Sequence, residues 1–511
     1  MYQERETEKP EQLPDDDRHV EFAIVGSGFS GLGMAIALEQ DGHSDFVVLE
    51  RADDLGGTWR DNTYPGCACD IPSVLYSWSE AQNPRWSRAF AEQPEIWDYM
   101  REVVARHELD SRLCFGHDLR SARWDDEHER WRLETSRGTL TADVLISGAG
   151  GLADPAIPEL PGIERFGGKI FHSARWDHDH DLEGRSVAVV GTGASAIQFV
   201  PEIQPQVARL HVFQRTPPWV LPRSNPRVPE RWRQRFQRHP GLLHAYRKAV
   251  FSLLESLHFG FSHPSLMRVA ERRARAHIAR QVPDPQLRER LTPNYRLGCK
   301  RVLGSNSWYP AICADNAELV SSGIAEVTAD GIVDRDGVQH SVDTIIFGTG
   351  FQVNDQPISH RIVGRGGQTL AESWQGSPRA HLGVAVSGFP NLFLLLGPNT
   401  ALGHNSVLLM IEAQVAYIRQ ALAHRRVNAI GWLEPTPAAQ ARWVADVDKG
   451  TEGSVWTAGG CLSWYTDATG RNSTLWPGSV RAYQRRLREF QPGDNLTSSK
   501  QAAPAPERVE V

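Results

Sequence analysis

The chain has 511 residues, carries a formal charge of −7 and is 40% hydrophobic. That length exceeds what one hydrophobic core organises, so two or three domains are expected. The acidic balance argues against nucleic acid as the main partner, and no apolar run approaches the roughly 20 residues of a membrane span.

Residues 1–19, MYQERETEKPEQLPDDDRH, are polar and acidic; they do not read as a secretory signal and are expected to be a disordered leader. HVEFAIVGSGFSGLGMAIALEQDG then reads as a buried strand, a glycine-rich turn and a helix. The turn supplies Gly26, Gly28, Ser30 and Gly31, and its backbone N–H groups suit a nucleotide pyrophosphate. FVVLE is the next strand. Its last residue, Glu50, lies 19 residues past Gly31, where a dinucleotide-binding unit places the acid that hydrogen-bonds a ribose diol. Alternating strands follow to the buried VLISGAG, and the first domain is expected over residues 20–150.

After a linker rich in Pro and Gly, SVAVVGTGASA opens a second such unit, with Gly191, Thr192, Gly193, Ala194, Ser195 and Ala196 in its turn. Nineteen residues past Ala196 stand Arg215 and Thr216 in place of an acid. A guanidinium forms a forked pair with a 2′-phosphate, which an acid would repel. The second nucleotide is therefore read as NADPH and the first as FAD. Two units of this kind in one chain point to electrons passing between two cofactors.

Residues 226–295 read as a helical insertion, with Leu243, Tyr246, Val250, Leu254 and Leu257 on one face expected to be core and the arginines on solvated faces. VDTIIFGTGF and NLFLLLGPNT are further buried strands. The expected fold is α/β, with two dinucleotide-binding, Rossmann-like domains. The FAD domain takes 20–150 and 381–490, the NADPH domain 151–380, and the tail 491–511 is expected to be disordered.

Between the two units, Phe166, Gly168, His172, Trp176 and Asp177 match F-x-G-x-x-x-H-x-x-x-W-[PD]. This fingerprint resembles that of the flavin-dependent Baeyer–Villiger monooxygenases. GGTW, YPGCACD, QRTPPW, CKRVLGSNSWYP, GPNTALGHNS and GCLSWYTDATGRN also look like blocks of that family in the family's order. The resemblance covers about residues 20–490. It implies an FAD- and NADPH-dependent enzyme that converts a ketone and O₂ to an ester or lactone through a C4a-peroxyflavin. It further implies Arg301 as the catalytic cation, Asp70 as its partner beside the flavin, and Lys300 as a ligand of the NADPH phosphate. By the same resemblance Thr58, Trp59 and Tyr76 contact the flavin, Leu119 offers a backbone contact to adenine, and Trp464 packs by the nicotinamide nucleotide. His172 and Trp176 are implied to be hinge elements rather than catalytic groups. One departure is Gly148-Ala149-Gly150, where such flavoproteins often show Ala-Thr-Gly. The rival readings are a monooxygenase acting on sulfur or nitrogen, and a flavin-binding regulator without turnover; Asp70, Lys300 and Arg301 together argue against the regulator.

His178-Asp179-His180-Asp181 reads as a polar loop, since ligands so adjacent rarely converge, and no metal site is expected. The cysteines at 67, 69, 114, 299, 313 and 461 show neither metal-ligand spacing nor a dense disulfide framework. They read as free thiols of a cytoplasmic protein.

Overall fold

The computed structural model describes residues 18–499. Of the leader, only Arg18 and His19 fall among them, and they open the strand Arg18–Val25. Phe46–Glu50 is buried at every position, as a parallel strand covered on both faces requires. The larger sheet runs in the order Ile362–Val363, Leu119–Asp125, Arg130–Thr135, Gly138–Ser147, Arg18–Val25, Phe46–Glu50 and Leu113–Phe115. Leu392–Leu394 adds to it beside Gly138–Ser147. Ile24 stands between Val48 and Ile146, so β-branched and aliphatic side chains line up across its centre. At one side Leu119–Asp125 and Arg130–Thr135 pair antiparallel, and their alternating burial is the period-2 pattern of the sequence.

The second sheet is wholly parallel, in the order Ala317–Val320, Arg209–Phe213, Ser186–Val190, Thr344–Phe347 and Lys169–His172. A small antiparallel sheet, Ile324–Thr328, Gly331–Asp334 and Gln339–Ser341, lies within the same stretch of chain. One apolar cluster includes strand and helix residues of both units, among them Phe22, Met34 and Ile36 of the first and Val189, Phe199 and Val212 of the second. This shared packing joins the two units.

Residues 230–290 form the helices Glu230–Arg238, Pro240–Ser256, His258–Ser262, Met267–Gln281 and Pro285–Arg290. The expected apolar stripe divides. Leu243 is buried, and Val250 and Leu254 pack half-buried with it against Val74 and Leu75, but Tyr246 and Leu257 are 46% and 50% exposed. Pro240–Ser256 meets the protein through a narrower face than the spacing suggests, and that face includes Arg247. The Arg247 guanidinium is buried and donates to the carbonyls of Val74 and Ser77.

Two expectations are corrected. The tail is not disordered from Gln491: Asn495–Ser499 pairs antiparallel with Ile430–Pro435. Low apolar content does not prevent this, because strand addition at an edge rests on main-chain hydrogen bonds. Residues 500–511 lie outside the described residues. Nor are all six thiols free. Cys299 and Cys461, 162 residues apart, form a disulfide, whereas Cys67, Cys69, Cys114 and Cys313 are free. A long-range pairing leaves no spacing for the sequence to show. Among the described residues, no helix is long and apolar enough to cross a membrane.

Candidate active site between two nucleotide-binding turns

The first turn is closed by close backbone approach. A Cβ at Gly31 would lie 1.8 Å from the Gly26 carbonyl oxygen, so only glycine lets the 12-residue helix Phe29–Gln40 begin so near the strand end. The helix N-terminus directs unpaired N–H groups at this turn, with Gly28 as the N-cap and Ser30 buried in its first turn. Glu50 accepts from Ser27 N–H (2.9 Å), Ser27 Oγ (2.7 Å) and Ala52 N–H (3.0 Å), and pairs with Arg60 at 2.9 Å. Burial pushes this carboxyl up, but Arg60 and the donated bonds outweigh it and hold it below the usual carboxylate value. Its first role is therefore to brace the turn. Glu50 O also accepts from His117 N–H, which brings the start of Leu119–Asp125 close; the Leu119 carbonyl itself accepts from Arg361.

Thr58 and Trp59 open the short helix Thr58–Asp61. Trp59 Nε1 donates to Tyr76 Oη at 3.1 Å with the two rings edge to face, making a two-ring wall. Gly28 and Gly57 meet backbone to backbone, so this wall and the first turn belong to one cradle. The cradle's donors and aromatic rings fit a flavin dinucleotide.

The second turn is more open. At Gly191 (φ 112°) a Cβ would stand 2.5 Å from the Gly348 carbonyl oxygen, but Gly193 and Ala194 are exposed. Ser195 is the N-cap of Ala196–Ile203, and a methyl built on Gly348 would meet the Ala196 methyl at an ordinary 3.5 Å. Thr192 Oγ1 donates to the Thr216 carbonyl at 3.3 Å, tying the turn to the segment that presents Arg215. Arg215 is exposed. Among the described residues neither Arg215 nor Lys300 has a carboxylate within 4.0 Å. Burial and then the Arg215 charge push the Lys300 ammonium below its usual value. Two cations that disfavour one another, one of them desolvated, form a ready site for a dianionic 2′-phosphate.

Arg301, on the segment that follows the helical insertion, reaches the loop that follows the first turn. Its Nε and Nη2 donate to Asp70 Oδ2 and Oδ1 at 2.7 and 2.6 Å, a forked pair. The two side chains are 32% and 34% exposed, so the pair remains reachable from solvent rather than sealed in a core. Asp70 raises the Arg301 pKa further above its ordinary value, against burial. Burial acts to raise Asp70, and Arg301 followed by Arg223 more than offsets it, so Asp70 stays ionised. The forked pair leaves Nη1 outside it. Tyr465, almost fully buried, also interacts with Arg301; burial pushes its phenol up to about 12 despite that cation.

The Cys299–Cys461 disulfide joins the segment carrying Lys300 and Arg301 to the one carrying Trp464, which is 40% exposed and packs on Tyr465 at 4.5 Å. Sequence reasoning missed Tyr465, Arg223 and this disulfide. For Tyr465 the signal was its place next to Trp464; the disulfide and Arg223 left none, their partners lying far along the chain.

The fingerprint residues lie along and beside the edge strand Lys169–His172 of the parallel sheet. Trp176 packs on Phe171 and Phe199, and Lys169 pairs with Asp177 at 2.5 Å. A Cβ at Gly168 would fall 2.2 Å from the Asp343 carbonyl oxygen. His172 Nδ1 accepts from Ala174 N–H, and burial pushes this imidazole down to about 4, so it is neutral at pH 7. Across the junction, Gln198 accepts from Tyr64 Oη and donates to the Ala68 carbonyl, coupling the second unit's helix to the loop that carries Asp70. His178 and His180 bond separately to Thr63 and Thr344.

Two dinucleotide-binding units, joined by a forked arginine–aspartate pair whose partners come one from the chain after each turn, are the arrangement of a flavin- and nicotinamide-dependent oxidoreductase. A family profile described as pyridine nucleotide-disulphide oxidoreductase matches residues 23–249. A Baeyer-Villiger monooxygenase of Streptomyces coelicolor is 46% identical over 495 residues, 96% of this chain and 94% of the relative. One of Pseudomonas aeruginosa is 47% identical, covering 93% of this chain and 91% of the relative. Among solved structures, a closed cyclohexanone monooxygenase aligns with TM-score 0.85 at 28% identity, and an oxidized steroid monooxygenase bound to NADP with 0.83 at 29%. Each alignment covers 94% of this chain and 100% of the other. The chain belongs to the Baeyer–Villiger monooxygenase family, flavoproteins that use FAD and NADPH.

Proposed function

We propose that the protein converts a neutral ketone, O₂, NADPH and a proton to an ester or lactone, NADP⁺ and water, with Arg301 as the catalytic cation. The observation that carries this reading is the forked Arg301–Asp70 pair, which joins the loop after the first turn to the segment after the helical insertion and stays about one-third exposed. Bound FAD, reduced by NADPH, supplies the oxygen chemistry. Arg301 faces the negative charge that develops on the carbonyl oxygen as the ketone is attacked, and a fixed charge in a water-poor cleft does this without reorganisation. Asp70 holds the guanidinium in place and keeps it protonated. Lys300 and Arg215 take the 2′-phosphate, and Trp59 with Tyr76 walls the flavin cradle. His172 acts as a structural neutral ring in the joint between the nucleotide units, with no proton to give at neutral pH.

An apolar cluster of Trp219, Phe261, Met267, Leu297, Val455 and Trp456 packs behind the Arg301 segment, with Val302 against it. That environment supports an uncharged substrate. The test is incubation of the yellow protein with NADPH, ¹⁸O₂ and a panel of ketones and thioethers, followed by mass spectrometry. One labelled oxygen in an ester is the expected result; sulfoxide alone from the whole panel would overturn it.

A further inference from the structure

On the outer side of the parallel sheet, away from Arg301, three donor atoms converge. His211 lies on Arg209–Phe213, Glu318 directly beside it on the edge strand Ala317–Val320, and His340 on Gln339–Ser341 of the small antiparallel sheet. His211 Nδ1 is 3.3 Å from His340 Nδ1 and 3.1 Å from Glu318 Oε2; His340 Nδ1 is 4.0 Å from that same oxygen. Zinc bonds of about 2.0–2.1 Å in a tetrahedron place ligand atoms about 3.3–3.4 Å apart. Two edges of the triangle already have that length, and the third closes by rotation of Glu318, whose side chain is 41% exposed.

The surroundings are those of a metal ligand. His340 Nε2 is 3.1 Å from Asp334 Oδ2, and Asp334 is itself fixed by Ser322 Oγ and by the N–H groups of Asp336 and Val338. A carboxylate on Nε2 sets the tautomer in which Nδ1 carries the lone pair, and that atom points at the cluster. Both imidazoles are buried, so their rings are held in place by packing rather than free to turn to solvent. One cation competes: Arg209 Nη2 lies 3.5 Å from the same Glu318 oxygen, on a half-exposed side chain free to turn to solvent.

We propose that His211, Glu318 and His340 bind one zinc ion, with water as the fourth ligand on the side open at Glu318. Two imidazoles and a carboxylate suit zinc better than magnesium or calcium, which prefer all-oxygen sets. The ion would clip the antiparallel sheet to the nucleotide sheet, on the strand that leads into Arg215, and takes no part in oxygenation. Sequence reading expects no metal here because the three ligands sit on three strands with no recognisable spacing.

The test uses the flavin-loaded protein, stripped with chelator and titrated with zinc chloride alone against a chromophoric chelator. A parallel titration with cobalt(II) is read by its visible tetrahedral bands. One zinc per chain is expected. His340→Gln and Glu318→Gln should each weaken binding roughly a hundredfold, Asp334→Asn by about 10- to 100-fold, and Arg209→Ala should tighten it. Retained yellow colour and far-UV circular dichroism check folding, and the exposed Glu318→Gln carries the test where a buried variant does not fold. No stoichiometric binding at about 10 μM zinc, a tightness well short of structural zinc sites, would overturn the proposal. Affinity unchanged in both Glu318→Gln and His340→Gln would do the same.

Discussion

The two glycine-rich turns use one motif for two different kinds of grip. At the first, the helix starts hard against the strand, Gly31 has no room for a methyl, and a buried carboxylate braces the turn from below. At the second, the third position holds Ala196, two turn residues face solvent, and the charged residue 19 positions on is an exposed arginine. The first is built like the seat of a resident group. The second, on the proposed reading, suits a nucleotide that enters and leaves and is recognised by charge at its rim. Identical strand–turn–helix topology thus serves opposite demands, and the difference lies in a methyl group, a carboxylate and the degree of burial.

That contrast is open to attack at several residues. Gly31→Ala should abolish flavin retention, because its Cβ would collide with backbone rather than with a movable side chain; absence of the yellow absorbance on purification checks this. Arg215→Ala should raise KM for NADPH about 10- to 100-fold, the worth of a charge-assisted hydrogen bond, and leave KM for NADH nearly unchanged. Equal losses with both nucleotides would mean that the second turn does not read the 2′-phosphate. Ala196→Gly, the reverse change in the looser turn, should cost only about 1 kcal/mol by denaturant unfolding and leave flavin bound.

The smallest effect is a pH dependence at the joint between the units. The folded-state pKa of His172, about 4, lies below the ordinary 6.5, so between these values the unfolded chain binds more protons than the folded one. Stability should fall as pH drops from about 6.5 toward 4 and then level off from this group's contribution. His172→Gln should flatten that slope in thermal unfolding series. An unchanged slope would place the titration elsewhere.

Much of this was legible because it is local. Strand, turn and helix follow one another within 25 residues in each unit, and the acid-to-arginine exchange sits at a fixed offset from the turn. The cleft itself was legible only through family blocks: Asp70 and Arg301 are 231 residues apart, and no periodicity connects them. Long-range convergence explains the misses as well. The Cys299–Cys461 bridge and the His211–Glu318–His340 triangle join residues whose spacing carries no pattern. The strand Asn495–Ser499 was hidden for another reason, since its affinity for the edge is main-chain hydrogen bonding and its side chains are mostly polar.

The central claim is that Arg301, held by Asp70, is the charge that the oxygenation requires. The direct measurement follows Arg301→Ala in stopped flow and in product analysis, with wild type and Asp70→Ala alongside. NADPH should still reduce bound flavin in Arg301→Ala, while ester formation falls on the order of 10²- to 10³-fold or more, with NADPH oxidation yielding hydrogen peroxide instead. Asp70→Ala should lie between the two. Ester formation at the wild-type rate in Arg301→Ala would contradict the account.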